Sequence, residues 1–182
     1  SDFEYIIGAV HYVEKDGVII CADEEEHSVV RFVNEHFGGD FYKYCKAYYE
    51  YVAKLCDKVD FDIIAHFDLV TKYNDGGKYF DETSSKYMIP ALEAAEHLIK
   101  KGKLFEINTS GLYRGGRKRM SPGKMLLATI KNFGGNVVIS SDSHDIKSLG
   151  YKFGEALEFA KECNFKSVKY FSNDGFLDFP II

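Results

Sequence analysis

Apolar and polar residues change along the chain in a way that predicts strands and helices in turn. Short β-branched or aromatic runs predict buried strands, and apolar residues repeated every three or four positions predict helices with one buried face. The predicted strands cover residues 5–10, 61–65, 103–107, 137–139 and 167–171. The predicted helices cover residues 23–38, 40–59 and 151–163, with two more whose apolar faces run over residues 88–99 and 121–133.

Several of these helices carry signals at their ends. Asp23 is expected to cap the first helix, which Gly38 ends, and Asp40 is expected to start the second. The Ser121-Pro122 pair predicts the start of a later helix. Because strand and helix alternate, the pattern predicts an α/β fold with a parallel sheet and right-handed crossovers.

Composition narrows the class of protein. The chain has 182 residues, 46% of them hydrophobic, which suffices for the core of one domain. A net charge of −5 disfavours general nucleic-acid binding. No run is long enough for a membrane span, and the N-terminus does not resemble a signal peptide, so a cytoplasmic protein is expected. The four cysteines form no CxxC pair and are interpreted as reduced thiols without a chemical role; they are Cys21, Cys45, Cys56 and Cys163.

Polar residues with metal-binding side chains follow four of the predicted strands. His11 and His66 end the first two, Asn108 ends the third, and Asp142 and His144 end the fourth. In parallel α/β folds the carboxyl ends of the strands lie at one rim, where the chemistry collects. Each histidine alone is more often a buried structural residue, and Asp142 could instead cap a helix. The set of four strand ends favours a metal site.

A cationic segment, RGGRKR at residues 114–119, follows the third strand in this acidic chain. Arg114 and Arg117 lie nearest the predicted rim and flank two glycines, and an arginine fork binds phosphate well. Lys118 and Arg119 fit a solvated loop equally well. Metal ligands and arginine at one rim indicate hydrolysis of a phosphate ester.

Four short motifs together indicate a resemblance to a known family. They are GAVH at residues 8–11, IIAHFDL at 63–69, EINTSGLYR at 106–114 and SSDSHD at 140–145. In this order and spacing the sequence resembles the histidinol-phosphate phosphatases of the polymerase-and-histidinol-phosphatase (PHP) superfamily. The resemblance implies a metal-dependent phosphomonoester hydrolase of histidine biosynthesis, which converts L-histidinol phosphate and water to L-histidinol and phosphate.

The resemblance also implies a fold and a set of site residues. The fold would be a distorted TIM-like (β/α)7 barrel with two or three divalent ions, Zn, Mn or Fe, at its carboxyl rim. His11 and His66 would bind one metal, and Asp142 and His144, the catalytic pair, would each bind one of the others. Arg114, with Arg117, would bind the substrate phosphate.

The sequence departs from the family at its start, because members carry a His-x-His strand and a bridging glutamate before the GAVH motif. Residues 1–182 are therefore interpreted as the C-terminal portion of a single PHP-type metallophosphoesterase domain, an incomplete barrel of about five strands. We expect partial metal loading, slow or absent turnover of the small phosphate ester, and self-association through exposed sheet edges. The alternatives are a superfamily phosphoesterase acting on nucleotides or nucleic-acid ends, and an inactive module.

Overall fold

The computed structural model describes residues 3–114 and 117–181. Its strands and helices alternate in the predicted manner. The strands are β1 (Ile7–Gly8), β2 (Tyr12–Lys15), β3 (Val18–Cys21), β4 (Ile63–Ile64), β5 (Leu104–Asn108), β6 (Val137–Ser140), β7 (Ser167–Ser172) and β8 (Gly175–Pro180). The helices are α1 (Glu26–Phe37), α2 (Phe41–Lys58), α3 (Ser85–Lys100), α4 (Ser110–Arg114), α5 (Lys124–Asn132) and α6 (Phe153–Glu162), with 3-10 turns at Leu69–Thr71 and Ile146–Ser148.

The main sheet has six strands in the order β1-β4-β5-β6-β7-β8 and is open. Neighbouring strands from β1 to β7 are parallel, whereas β8 pairs antiparallel with β7. The five predicted strands are the five parallel ones, so the predicted α/β class and the open sheet are confirmed, with a sixth strand, β8, added at one edge. The first is much shorter than residues 5–10, because only two of its residues pair with β4.

Two features of the sheet were not predicted. The strands β2 and β3 form a separate antiparallel hairpin, with Tyr12 opposite Cys21 and Lys15 opposite Val18. Its turn holds Asp16 and Gly17, both at positive φ, which is the favoured chemistry of a two-residue hairpin turn. The second feature is β8, whose last three residues are exposed. Its sequence is interrupted by Asp178 and does not have the continuous apolar run that predicts a buried strand.

Two predicted helix starts were wrong. The first helix begins at Glu26 after Glu25, which makes no side-chain capping bond, and Asp23 lies outside it. The helix expected from Ser121-Pro122 begins at Lys124; Ser121 instead forms an isolated bridge with Asn108. The Asp40 prediction is confirmed, since its carboxylate accepts hydrogen bonds from two amide groups in the first turn of α2.

The core lies between the sheet and the helices that cover it. Helices α2 and α3 contribute buried tyrosines, and the hydroxyl groups of Tyr49 and Tyr87 hydrogen-bond each other at 2.8 Å. Pairing the two hydroxyls satisfies polar groups that would otherwise be costly to bury. All four thiols are free, and burial raises the pKa of the Cys45 thiol well above its usual range. None of the helices in the described part of the chain combines the length and apolar character needed to cross a bilayer.

Candidate functional site

All four predicted metal ligands line one cavity of about 520 Å³ at the carboxyl rim of the sheet. His11 follows β1, His66 follows β4, and Asp142 and His144 follow β6. Asn108, at the end of β5, lines the same cavity. The volume is in the range of small-molecule sites, roughly 300–1,000 Å³. The parallel strands bring these residues together across more than 130 positions of sequence.

The two histidines lie next to each other in the site, His11 partly exposed and His66 buried. The ring centroids of His11 and His66 are 4.9 Å apart, and the rings are close to perpendicular. His66 is only 8% exposed, and its Nδ1 is buried without a hydrogen-bond partner among the described residues. Burial lowers the pKa of His66, against the opposing effect of the Glu106 carboxylate. A neutral imidazole is the form that binds a metal ion.

Asp142 and His144 form the second pair of candidate ligands, and both follow β6. Asp142 Oδ1 lies 3.5 Å from His144 Nε2, and the His144 side chain is 72% exposed. Asn108 and Ser110 donate to Asp142 Oδ2 at 3.4 and 3.3 Å. The alternative in which Asp142 caps a helix is wrong, because Asp145 is the residue whose carboxylate accepts from the Ser148 amide in the following turn.

Glu106, which we did not predict, lies beneath these ligands in β5. Its side chain is almost fully buried, and Oε2 accepts from the His66 backbone amide at 2.6 Å and from Asn108 at 2.9 Å. Asn108 in turn accepts from the amide and the hydroxyl of Ser110. The signal in the sequence was an acidic residue inside an otherwise apolar strand, LFEIN. A buried carboxylate needs such donors to be tolerated, and here it connects two strand ends of the site.

The cationic segment divides into two environments. Arg114 is 43% exposed, lines the cavity, donates to the Asp142 carbonyl and lies 3.6 Å from Asp142 Oδ1. Arg117 also borders the cavity, but its guanidinium is buried against Asp68, at 3.2 Å. Residues 115 and 116, the glycines expected to let the backbone approach a ligand, lie outside the described residues. Arg114 therefore has the freer guanidinium group.

Arg119 is not the solvated cation that one interpretation of the sequence suggested. It binds both carboxylate oxygens of Glu82, at 2.8 and 3.0 Å, and one oxygen of Asp68 at 3.3 Å. Asp68 is fully buried and also accepts from Ser121 and from the Gly123 amide. Although burial alone would raise the pKa of Asp68, the two guanidinium groups hold it well below its usual range.

The residues at the rim fit a divalent metal ion. A buried imidazole nitrogen without a partner, a second imidazole within 4.9 Å and nearby carboxylates are the donors that such ions use. Among the described residues, His11, Cys21 and Asp23 also place one ligand atom each within 4.8 Å of one another. Cys21 and Asp23 were given no metal role by the sequence, because the hairpin that brings them to His11 was not predicted.

No family profile matches the chain. A protein of Schizosaccharomyces pombe named as a probable histidinol-phosphatase is 24% identical over 169 residues, which are 92% of this chain and 53% of that protein. Four curated relatives carry this name. The chain is similar to the histidinol-phosphatases. The resemblance expected from the four motifs is thereby confirmed.

Solved structures of histidinol phosphatases share the fold. A Listeria monocytogenes structure named in this way superimposes with a TM-score of 0.69 and 20% identity, covering 82% of this chain and 56% of that one. The histidinol phosphate phosphatase of Lactococcus lactis, complexed with zinc, L-histidinol and phosphate, gives a TM-score of 0.58 and 19% identity over 97% of this chain and 63% of that one. The chain spans 51 to 60% of the length of the curated histidinol-phosphatases that it matches.

Proposed function

We propose that this chain carries the site of a metal-dependent phosphomonoester hydrolase that acts on L-histidinol phosphate. The observation that carries the proposal is the convergence of His11, His66, Asp142 and His144 on one cavity that Arg114 also lines. The Lactococcus lactis relative, whose structure holds zinc, L-histidinol and phosphate, supports the choice of metal and substrate.

Each side chain has a separate task in this proposal. His11 and His66 would hold one divalent ion, and Asp142 and His144 would hold others. Bound divalent ions would supply Lewis acidity toward the phosphate and acidify a water molecule. Arg114 would bind two phosphate oxygens through its planar fork, because its guanidinium is partly exposed in the same cavity. The oxygen of a water molecule would add to phosphorus as the bond from phosphorus to the substrate oxygen breaks. One proton of that water would end on the leaving oxygen, so that L-histidinol leaves as the alcohol and the water oxygen remains in inorganic phosphate.

For Arg117 we propose a task other than the phosphate contact expected from the sequence. Its side chain is 6% exposed, and its guanidinium donates to the Asp68 carboxylate and carbonyl. We therefore propose that Arg117 supports the site indirectly, by tying its own part of the cationic segment to Asp68, two residues after His66. The rest of the cavity wall includes Leu69 and Tyr73, which offer an apolar surface and an aromatic ring to the organic part of the substrate.

The test is phosphate release by the purified 182-residue chain after chelation and reloading with Zn²⁺, Mn²⁺ or Fe²⁺. We expect slow, metal-dependent release from L-histidinol phosphate, faster than release from AMP or a 3′-phosphorylated oligonucleotide. Slow turnover is expected because four candidate ligands are few for two or three ions. Equal or faster release from the nucleotides would favour the nucleotide phosphoesterase, and metal binding without any release would favour an inactive module.

A further inference from the structure

Asp23 contacts both His11 and Cys21, which the sequence did not predict. Its Oδ1 lies 3.2 Å from His11 Nδ1 and accepts a hydrogen bond from Cys21 Sγ at 2.8 Å. The carboxylate is 33% exposed at the edge of the same cavity. His11 therefore has one ring nitrogen engaged by a carboxylate.

The β2–β3 hairpin brings this carboxylate to the histidine. The chain leaves His11 along β2, turns, and returns along β3, where Cys21 lies opposite Tyr12. A hydrogen bond of 2.6 Å from the Ala22 amide to the His11 carbonyl closes the hairpin. Asp23 is the next residue, so the length of the hairpin sets which side chain meets the imidazole.

The backbone that follows β3 is also held by side chains from the segment after His66. Lys72 Nζ donates to the Asp23 carbonyl at 2.8 Å, and the Tyr73 hydroxyl donates to the Glu24 carbonyl. Lys72 and Tyr73 lie shortly after His66 in the chain. The backbone of Asp23 is thus held between the segments that carry both candidate histidine ligands.

We infer that Asp23 is a positioning residue that fixes the ring of His11 for metal binding, and that Cys21 supports it as a thiol donor. The inference rests on the metal site of the proposed function. Nδ1 of His11 carries the proton and donates it to Asp23, so Nε2 is the nitrogen that binds the ion. Histidine ligands in metalloproteins commonly donate their second ring nitrogen to a carboxylate, which sets the tautomer and the ring orientation.

The competing arrangement uses Asp23 and Cys21 as direct ligands beside His11. The separation of their atoms argues against it. A sulfur and an oxygen bound tetrahedrally to one zinc ion at its usual bond lengths lie roughly 3.5 Å apart. Cys21 Sγ and Asp23 Oδ1 are 2.8 Å apart, which is a hydrogen-bond distance. Asp23 Oδ1 also already accepts from His11, so both groups are used in orienting the ring.

Metal affinity of the purified chain tests the inference without reference to turnover. The chain is stripped with a chelator and titrated with Zn²⁺ against a chromophoric competitor. Asp23→Ala is expected to weaken binding about 10- to 100-fold, the usual effect of losing an outer-sphere partner. Asp23→Asn, whose carbonyl oxygen still accepts from Nδ1, is expected to retain much of the affinity. Cys21→Ser keeps a hydroxyl donor for Asp23, so it is expected to retain the affinity, which a thiolate ligand would not allow. Glu14→Ala, an exposed control on β2 of the same hairpin, is expected to bind like the parent chain.

Two spectra keep the inference testable if Asp23→Ala fails to fold. Long-range ¹H–¹⁵N spectra of the zinc-loaded parent chain should show His11 protonated at Nδ1 and metal-bound at Nε2. The Co²⁺-loaded chain should lack a thiolate charge-transfer band. Binding through Nδ1, or a thiolate band that Cys21→Ser removes, would overturn the inference.

The outcomes also separate this inference from the proposed function. Tight metal binding that Asp23→Ala leaves unchanged would overturn the positioning role and leave the proposed hydrolase standing. A parent chain that binds none of Zn²⁺, Mn²⁺ and Fe²⁺ would overturn both, because the site would then lack its metal.

Discussion

At the scale of single residues, Arg114 is the cation best placed to meet a phosphate group. Its side chain is 43% exposed, and its guanidinium lies beside Asp142 in the cavity. We expect Arg114→Ala to lose a charge-assisted hydrogen bond of about 1.5 to 3 kcal/mol, which is roughly a 10- to 150-fold fall in kcat/KM for L-histidinol phosphate. Steady-state kinetics on the metal-loaded protein measures it.

Lys118 provides the matched control for that substitution. Its side chain is exposed, four positions along the same cationic segment, so Lys118→Ala should change kcat/KM little. Arg119 would be a poor control, because it binds Glu82 and Asp68 and its removal would disturb the loop. Equal kinetic losses for Arg114→Ala and Lys118→Ala would show that Arg114 has no special contact with the phosphate.

Asp68 is expected to matter for stability more than any exposed acidic residue. It is fully buried, with Arg117 3.2 Å away and Arg119 3.3 Å away. Asp68→Ala leaves a buried guanidinium without its partner, so we expect the free energy of unfolding to fall by about 3 to 5 kcal/mol. Urea denaturation measures the change, with Asp60→Ala as control because that carboxylate is fully exposed.

The lowered pKa of Asp68 also predicts that the free energy of unfolding depends on pH. The folded state holds the pKa of Asp68 below its ordinary value of 3.8. Its stabilisation is therefore fully present above that value and is lost as the pH falls below it. The difference in unfolding free energy between the parent chain and Asp68→Asn should be constant near neutral pH and shrink in acid. A difference that stays constant into strong acid would contradict the assignment.

The positions of single residues could be predicted only where one strand end decides them. His11, His66, Asp142 and His144 follow apolar runs, so the rim of a parallel sheet was enough to bring them together. Glu106 is different, because its role depends on a backbone amide 40 positions away in the chain. That partner cannot be read from the local pattern around the strand.

At the scale of elements, the packing of β1 explains the glycine of the GAVH motif. A Cβ atom built on Gly8 would lie 2.7 to 3.0 Å from ring atoms of Phe61, which is buried. Gly8→Ala is therefore expected to destabilise the fold by about 1 to 3 kcal/mol through overpacking. It should also weaken metal binding, since His11 follows three residues later. Thermal unfolding and zinc titration measure the two effects.

Gly154, in α6, is the control for that change. Nothing lies within 4 Å of a Cβ at this position, and alanine is favoured over glycine in helices. Gly154→Ala should leave stability unchanged or slightly higher. A Gly8→Ala variant as stable as Gly154→Ala would mean that β1 does not pack closely on Phe61.

The elements that the sequence did not predict were missed for different reasons. The hairpin has a recognisable turn signal, Asp16-Gly17 between two short strand-like runs. Its two strands pair only with each other, so they do not follow the alternation of strand and helix that predicts the main sheet. The first helix was extended back to Asp23 because that residue is a common cap. Its carboxylate instead bonds to Cys21 and His11, a choice that only the folded hairpin makes available.

At the scale of the whole molecule, the open sheet leaves β1 at one edge and β8 at the other. Ile6 and Ile7 beside the β1 edge are 37% and 46% exposed. An exposed apolar edge strand favours pairing with another chain. We therefore expect the isolated chain to self-associate with increasing concentration, and Ile7→Lys to reduce this association. Sedimentation velocity over a range of concentrations measures it.

Ile146 gives a matched control for the edge variant. It is 93% exposed and lies in a 3-10 turn away from either sheet edge. Ile146→Lys adds the same charge and removes the same apolar side chain, so it should leave association through β1 unchanged. A monomer at all concentrations, or equal effects of the two lysine substitutions, would contradict pairing through this edge.

The global fold was the easiest property to predict. The short buried parallel strands appear as apolar runs, and each of the five was visible in the sequence. The sixth strand, β8, was not predicted because it pairs antiparallel at an exposed edge and carries Asp178 and Pro180 in its second half. Its residues resemble those of a loop.

The backbone at two candidate ligands bears on protein engineering. His66 and Asp142 have φ of 27° and 43°, a region that residues other than glycine adopt at a cost of roughly 1 to 3 kcal/mol. Asp142→Gly would relieve that strain and remove a ligand in the same step. A selection for thermal tolerance alone would therefore enrich such a substitution and erase the site, so libraries built on this scaffold should keep both positions fixed.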